Sequence, residues 1–165
     1  MISKLKEACG FEYTNKLQRM FQDMQISKDL NSGYKAFEAK LVENDDTAGV
    51  IDATYSILGT GFWPLNAPTT SFSPPPEIVK AYERFQKFYN QKHSGRKLTW
   101  LWQLGKGEGK ANYTKTSKIP YTFQVSTYQI AILLLFNERD VNTYDEIMKA
   151  TQLSQEVLEI GRAHV

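Results

Sequence analysis

Apolar residues divide the chain into stretches of different period. Tyr13, Leu17, Met20, Phe21 and Met24 recur at helical spacing. Gly10 marks the start or a break of that helix. Ser27 can cap a second helix, whose stripe is Leu30, Tyr34, Phe37 and Leu41 and which ends near ENDD at 43–46. Two such narrow stripes make half a bundle and call for further helices. At residues 50–58, VIDATYSIL, the pattern changes to that of a strand. Gly59, Gly61, Pro64, Pro68 and the triplet Pro74 to Pro76 then predict a long ordered loop. Proline suits a first helical turn, so a helix should start near Pro76. Ile78, Ala81, Tyr82, Phe85, Phe88 and Tyr89 form its stripe, and Gly95 ends it.

In GRKLTWLWQL, 95–104, Leu98, Trp100, Trp102 and Leu104 occupy alternate positions, which predicts a strand with a tryptophan face. That face either packs beneath the helix at 77–93, stacks bases, or is completed by another chain. GKGEG at 105–109 reads as a hairpin turn, with a return strand around Lys110 to Tyr113. Tyr121, Phe123 and Val125 alternate in a third strand. Two capping boxes follow, Ser126 with Gln129 and Thr143 with Glu146, and Ser154 starts a third short helix. Three short helices after a strand suggest a winged-helix or helix-turn-helix unit. The fold class expected is α+β: the end of a helical bundle, a small mainly antiparallel α/β domain and a truncated winged helix. IGRAHV, 160–165, looks like translated sequencing adapter and is expected to be a non-native scar, with the chain a fragment at both ends.

Length fits one domain or two small ones, at 165 residues. The balance of 20 basic against 18 acidic residues gives no pull towards nucleic acid or acidic membranes. The longest apolar run, Ile130 to Phe136, is too short to span a bilayer. With the single cysteine, Cys9, no intrachain disulfide can form, and a reducing compartment is expected.

Catalytic chemistry finds little to use. The histidines are His93 and His164, the second inside the suspected scar. Cys9 is remote from His93 in sequence and reads as a packed cysteine. Zinc needs roughly four Cys or His ligands, which the chain lacks. GKGEGK lacks the GK[ST] ending of a phosphate loop. Carboxylates cluster only in solvated runs such as ENDD. No catalytic residue, metal site or cofactor is expected. A winged-helix nucleic-acid-binding protein is the alternative function. Against it, the third helical segment, SQEVLE, carries two glutamates and no arginine. An interaction scaffold with an open sheet edge, able to accept a strand from another chain, fits better.

Four stretches carry a resemblance: CGFEYTNKLQRMFQDMQISKDL at 9–30, GFWPL at 61–65, FYNQKHSGRKLTWLWQL at 88–104 and STYQIAILLLFN at 126–137. Together they resemble the cullin homology region, of the type that scaffolds SCF ubiquitin ligases, collinearly over about 2–159. The resemblance implies the last helices of a four-helix bundle at 1–46, an α/β domain at 47–125 and the start of a winged helix at 126–159. It implies a non-catalytic scaffold, cytoplasmic and nuclear, that holds a RING-box protein by β-strand addition. Through that protein it would place a ubiquitin-conjugating enzyme, with neither nucleic acid nor membrane as partner. The family's adaptor-binding repeats have no counterpart in this sequence. Nor does the last winged helix, with the lysine that receives the ubiquitin-like modifier, so no lysine here takes that role. Gly109 stands where the family usually has an apolar residue, which weakens strand propensity. Alternation and analogy together nominate Thr54, Tyr55, Ile57 and Leu58 for strand pairing. Trp63, Trp100 and Trp102 are nominated for the apolar face beside the inserted strand.

Overall fold

The computed structural model describes residues 4, 7, 10–42, 51–67, 70–111 and 121–162. Cys9, ENDD at 43–46, Val50, Pro68, Asn112, Tyr113 and His164 lie outside the described residues. Two compact units emerge: residues 1–66 with 80–96, and 67–79 with 97–165.

In the first unit, the two helices expected before residue 43 are one. Helix α1 runs unbroken over Phe11–Val42, 32 residues. No proline falls within it, and Gly10, with φ 84°, precedes it. Ser27 does not cap a second helix. It sits buried in mid-helix, and its hydroxyl bonds the backbone of Ile57 instead. The stripe from Leu30 to Phe37 packs as its spacing requires. Leu30 and Tyr34 are buried, and Phe37 lies 5.4 Å from Phe88, ring centre to ring centre. Helix α2, Pro76–Lys92, starts at its proline. It supplies Ala81, Phe85, Phe88 and Tyr89 to the same core. Tyr34 sits among Phe85, Phe88 and Tyr55 at 5.2, 5.4 and 5.7 Å. The α1 stripe nearer the N-terminus is not covered in this way: Phe21 and Met24 are more than half exposed.

Residues 51–59 belong to no sheet, so the strand expected at 50–58 has no strand partner among the described residues; alternate bonding of 55, 57 and 59 to α1 marks that part as extended backbone. Side chains of α1 take that place.

In the second unit, the GKGEG stretch is strand, not turn. Strand β1, Lys106–Ala111, pairs antiparallel with β2, Tyr121–Ser126, in the register Lys106↔Ser126 to Ala111↔Tyr121. Lys110 and Ala111 thus close the outgoing strand and do not open a return. The glycines serve contact, not turning. A Cβ on Gly107 would collide with Ile130 Cδ1, and one on Gly105 with Thr127 Oγ1. Both obstacles belong to helix α3, Thr127–Glu138, which approaches the chain closely where Gly105 and Gly107 carry no side chain.

The tryptophan stretch forms no strand either. Residues 97–101 belong to no sheet, and Trp102–Leu104 closes into a 3₁₀ turn. Leu104 N–H donates to the Leu101 carbonyl at 3.0 Å and Gly105 N–H to that of Trp102 at 3.1 Å. The turn throws Leu104 out to 51% exposure, off the face predicted for it.

The C-terminal helices follow their signals. Both capping boxes form, Ser126 with Gln129 at α3 and Thr143 with Glu146 at α4, Tyr144–Thr151. Gln152, left-handed at φ 56°, ends α4. Helix α5 spans Gln155–Arg162, into the stretch suspected as a scar. Ahead of the proline triplet, Ser73 N–H donates to the Thr151 carbonyl at 2.8 Å. The Ser71 hydroxyl donates to the Gln152 carbonyl at 3.1 Å.

A candidate strand-docking site

The extended segment is held to α1 by three polar side chains spaced four residues apart. Asn31 acts as a two-point clamp. Tyr55 N–H donates to Asn31 Oδ1 at 2.8 Å, and Asn31 Nδ2 donates to the Tyr55 carbonyl at 2.6 Å. Ser27 does the same with one hydroxyl: Ile57 N–H donates to Oγ at 2.8 Å, and Oγ donates to the Ile57 carbonyl at 3.1 Å. Asp23 Oδ2 accepts from Gly59 N–H at 2.6 Å and from the Trp63 indole N–H at 2.7 Å.

The spacing works because the two rises nearly agree. Four helical residues climb about 6 Å, and two strand residues climb about 6.6 Å. Positions 23, 27 and 31 therefore meet 59, 57 and 55 in antiparallel order. Asn31 spends its other amide hydrogen on the Ser27 carbonyl at 2.7 Å, so its donors are all used.

In an extended chain the N–H and C=O of one residue point to the same edge, and successive residues alternate edges. Tyr55, Ile57 and Gly59 turn theirs towards α1. Those of Thr54, Ser56 and Leu58 must face the other way. No described residue of the same unit bonds that outer edge.

Side chains fix the segment as well. The Tyr55 ring stacks on Phe85 with centres 3.9 Å apart and planes 20° apart, and its hydroxyl donates to the Ala81 carbonyl at 3.0 Å. Burial pushes the Tyr55 phenol well above the usual tyrosine range. Burial does the same to Tyr34, helped by the neighbouring Glu38 carboxylate; the enclosed Tyr34 hydroxyl makes no well-formed hydrogen bond. Both phenols stay neutral and serve as packing.

The sequence-nominated residues thus fall into two groups. Thr54, Tyr55, Ile57, Leu58 and Trp63 belong to the first unit, and Trp100 and Trp102 to the second. Thr54 is exposed, and Tyr55, Ile57, Leu58 and Trp63 are half-buried. Trp100 and Trp102 stack on each other, 5.6 Å between centres, and Trp102 meets Phe72 edge-on at 5.8 Å. Sequence reasoning passed over Ser56, on the outer edge, and Asp23 and Asn31 on the inner one, and read Ser27, which also holds the inner edge, as a helix cap. The available signal was three short polar side chains at i, i+4 and i+8 on one face of the helix.

Among the described residues, no three His, Cys, Asp or Glu side chains come together to hold a metal ion. No described helix is long and apolar enough to cross a membrane.

The sequence was compared with known families and proteins. Residues 57–160 match the model of the cullin alpha+beta domain, and residues 1–31 that of the cullin alpha solenoid domain. The chain belongs to the cullin family. It is 48% identical to Cullin-1 of Schizosaccharomyces pombe and 49% identical to Cullin-1 of Dictyostelium discoideum, each over 96% of the chain and 20% of the relative. Human Cullin-4A is 41% identical over the same shares. The chain therefore spans about a fifth of the length of these relatives.

These matches give the ladder a place in the cullin plan. The solenoid match ends at Asn31, and the alpha+beta match begins at Ile57. Asp23, Ser27 and Asn31 lie in the first, and Ile57, Gly59 and Trp63 in the second. Two of the three steps of the ladder thus join residues matched by one cullin model to residues matched by the other.

Proposed function

We propose that this chain is part of a Cullin-1-type scaffold of an SCF-type ubiquitin ligase, working in cytoplasm and nucleus. On this reading it is not catalytic. It binds a RING-box protein by β-strand addition. The RING-box protein in turn holds the ubiquitin-conjugating enzyme close to a substrate carried elsewhere on the assembly. Rate then comes from raised effective concentration. Phe11–Val42 is the last part of a four-helix bundle, and the helices from Thr127 onwards open a winged-helix unit.

The observation that carries the reading is the segment 54–58: bonded to α1 along its inner edge, and without a bonding partner among the described residues of its unit along its outer edge. Such an edge supplies main-chain donors and acceptors to an incoming strand, and alternate side chains supply selectivity. Cullin membership supports a ligase scaffold in general terms.

The test is co-purification of the chain with a RING-box subunit, alone and within the complete C-terminal half of a Cullin-1. A stable complex that Ser56→Pro abolishes is expected. Proline tolerates extended backbone but removes an outer-edge N–H. Unchanged binding by Ser56→Pro would refute strand addition at this edge.

A further inference from the structure

We infer that Asp23, Ser27 and Asn31 are positioning residues for the incoming strand: they stand in for a neighbouring β-strand and fix which backbone groups of 54–58 are offered. The inference rests on the strand-addition reading above.

An isolated extended segment is a poor docking edge. It samples many conformations, and ordering it opposes association. A sheet solves this with a second strand on the far side. Here the far side is a helix, which has no free main-chain groups to give. The ladder supplies substitutes. The Asn31 amide presents one acceptor and one donor to Tyr55, as a paired strand residue would. The Ser27 hydroxyl repeats this for Ile57, and Asp23 accepts from Gly59 and Trp63. Each step holds one inward residue and so aims the next residue outward.

Two consequences follow. The register is fixed, because a slip of one residue would turn Tyr55 and Ile57 outward, break the ladder and lift Tyr55 from Phe85. The offered set is Thr54, Ser56 and Leu58; the backbone groups of Tyr55 and Ile57 are already bonded to α1. The ladder also couples helix α1 to the docking edge, since the holding groups are on the helix and the held groups on the segment.

The test measures RING-box binding and amide exchange on the same variants of the full chain. Asn31→Ala and Ser27→Ala are each expected to weaken RING-box binding roughly tenfold, as losing two hydrogen bonds to a segment that must be ordered implies. Amides of Tyr55 and Ile57 should lose protection while those of Leu30 and Phe85 keep theirs. Ser27→Thr, which keeps the hydroxyl, should restore both. The positioning role is overturned if Asn31→Ala and Ser27→Ala expose the Tyr55 and Ile57 amides yet bind RING-box normally. It is equally overturned if binding falls only in step with loss of core protection, and Ser27→Ala, the milder change, then decides between a local and a global effect. Ser56→Pro separates the two claims. If it binds normally, strand addition fails. If it abolishes binding while the ladder variants bind as wild type, only the positioning role fails.

Discussion

Residues 51–59 and 97–104 have similar patterns and different structures. Each alternates apolar and polar positions, and neither belongs to a sheet among the described residues. The first is held through its backbone, by side chains of a helix. The second is held through its side chains, by the Trp100–Trp102 stack and Phe72, and ends in a 3₁₀ turn. Alternation reports which side chains share a face. It does not report where the main-chain hydrogen bonds go, and on that point the two segments part. The first turns alternate backbone groups to α1, whereas the second closes on itself in a turn at its end.

The largest expected effect attacks the first segment from below. Phe85→Ala removes the ring under Tyr55 and should cost about 3–5 kcal/mol, the range for a buried aromatic. Chemical denaturation would measure it. A cost under about 1 kcal/mol would show that the ladder alone fixes the segment.

The next addresses the second unit. Gly107→Val drives a side chain into Ile130 and should cost about 1–3 kcal/mol by overpacking. If GKGEG were a turn, the same change would leave α3 undisturbed; a thermal melt with the α3 amide shifts followed by NMR would tell.

Much of the fold was legible in the sequence. The α2 stripe from Ala81 to Tyr89, the β2 alternation and both capping boxes were readable because each is a local rule satisfied by near neighbours. Two of the misreadings share one cause: Ser27 resembles a cap, and Gly105 and Gly107 resemble a turn, until a partner far along the chain is considered. Ser27 answers to Ile57, and Gly107 to Ile130. The ladder was illegible for the same reason: Asp23 and Trp63 meet across forty positions.

Smaller effects sharpen the picture of the second unit. Thr143→Ala should cost about 1 kcal/mol, as loss of a helix cap does. Hydrogen bonds from the Thr143 backbone and hydroxyl, with Arg139 nearby, hold the Glu146 carboxyl below the usual range. A carboxylate with a lowered native pKa stabilises above its unfolded value, and that contribution is lost as pH falls through the native one. Glu146→Gln should therefore flatten the acid limb of the stability profile. Smallest and opposite in sign is Gly109→Thr. A Cβ there meets nothing within 4 Å, so the change should stabilise the strand by about 0.5–1 kcal/mol. A lower melting temperature would mean that Gly109 is needed for some closer approach.

The central claim is that segment 54–58 offers one edge and spends the other. Residue-resolved amide exchange, with and without a RING-box subunit, tests it most directly. In the free chain Tyr55 and Ile57 should be protected while Thr54, Ser56 and Leu58 exchange quickly. Binding should then protect Thr54, Ser56 and Leu58 and leave Tyr55 and Ile57 as they were. Bound RING-box that leaves Ser56 and Leu58 exchanging at the free rate would contradict the account.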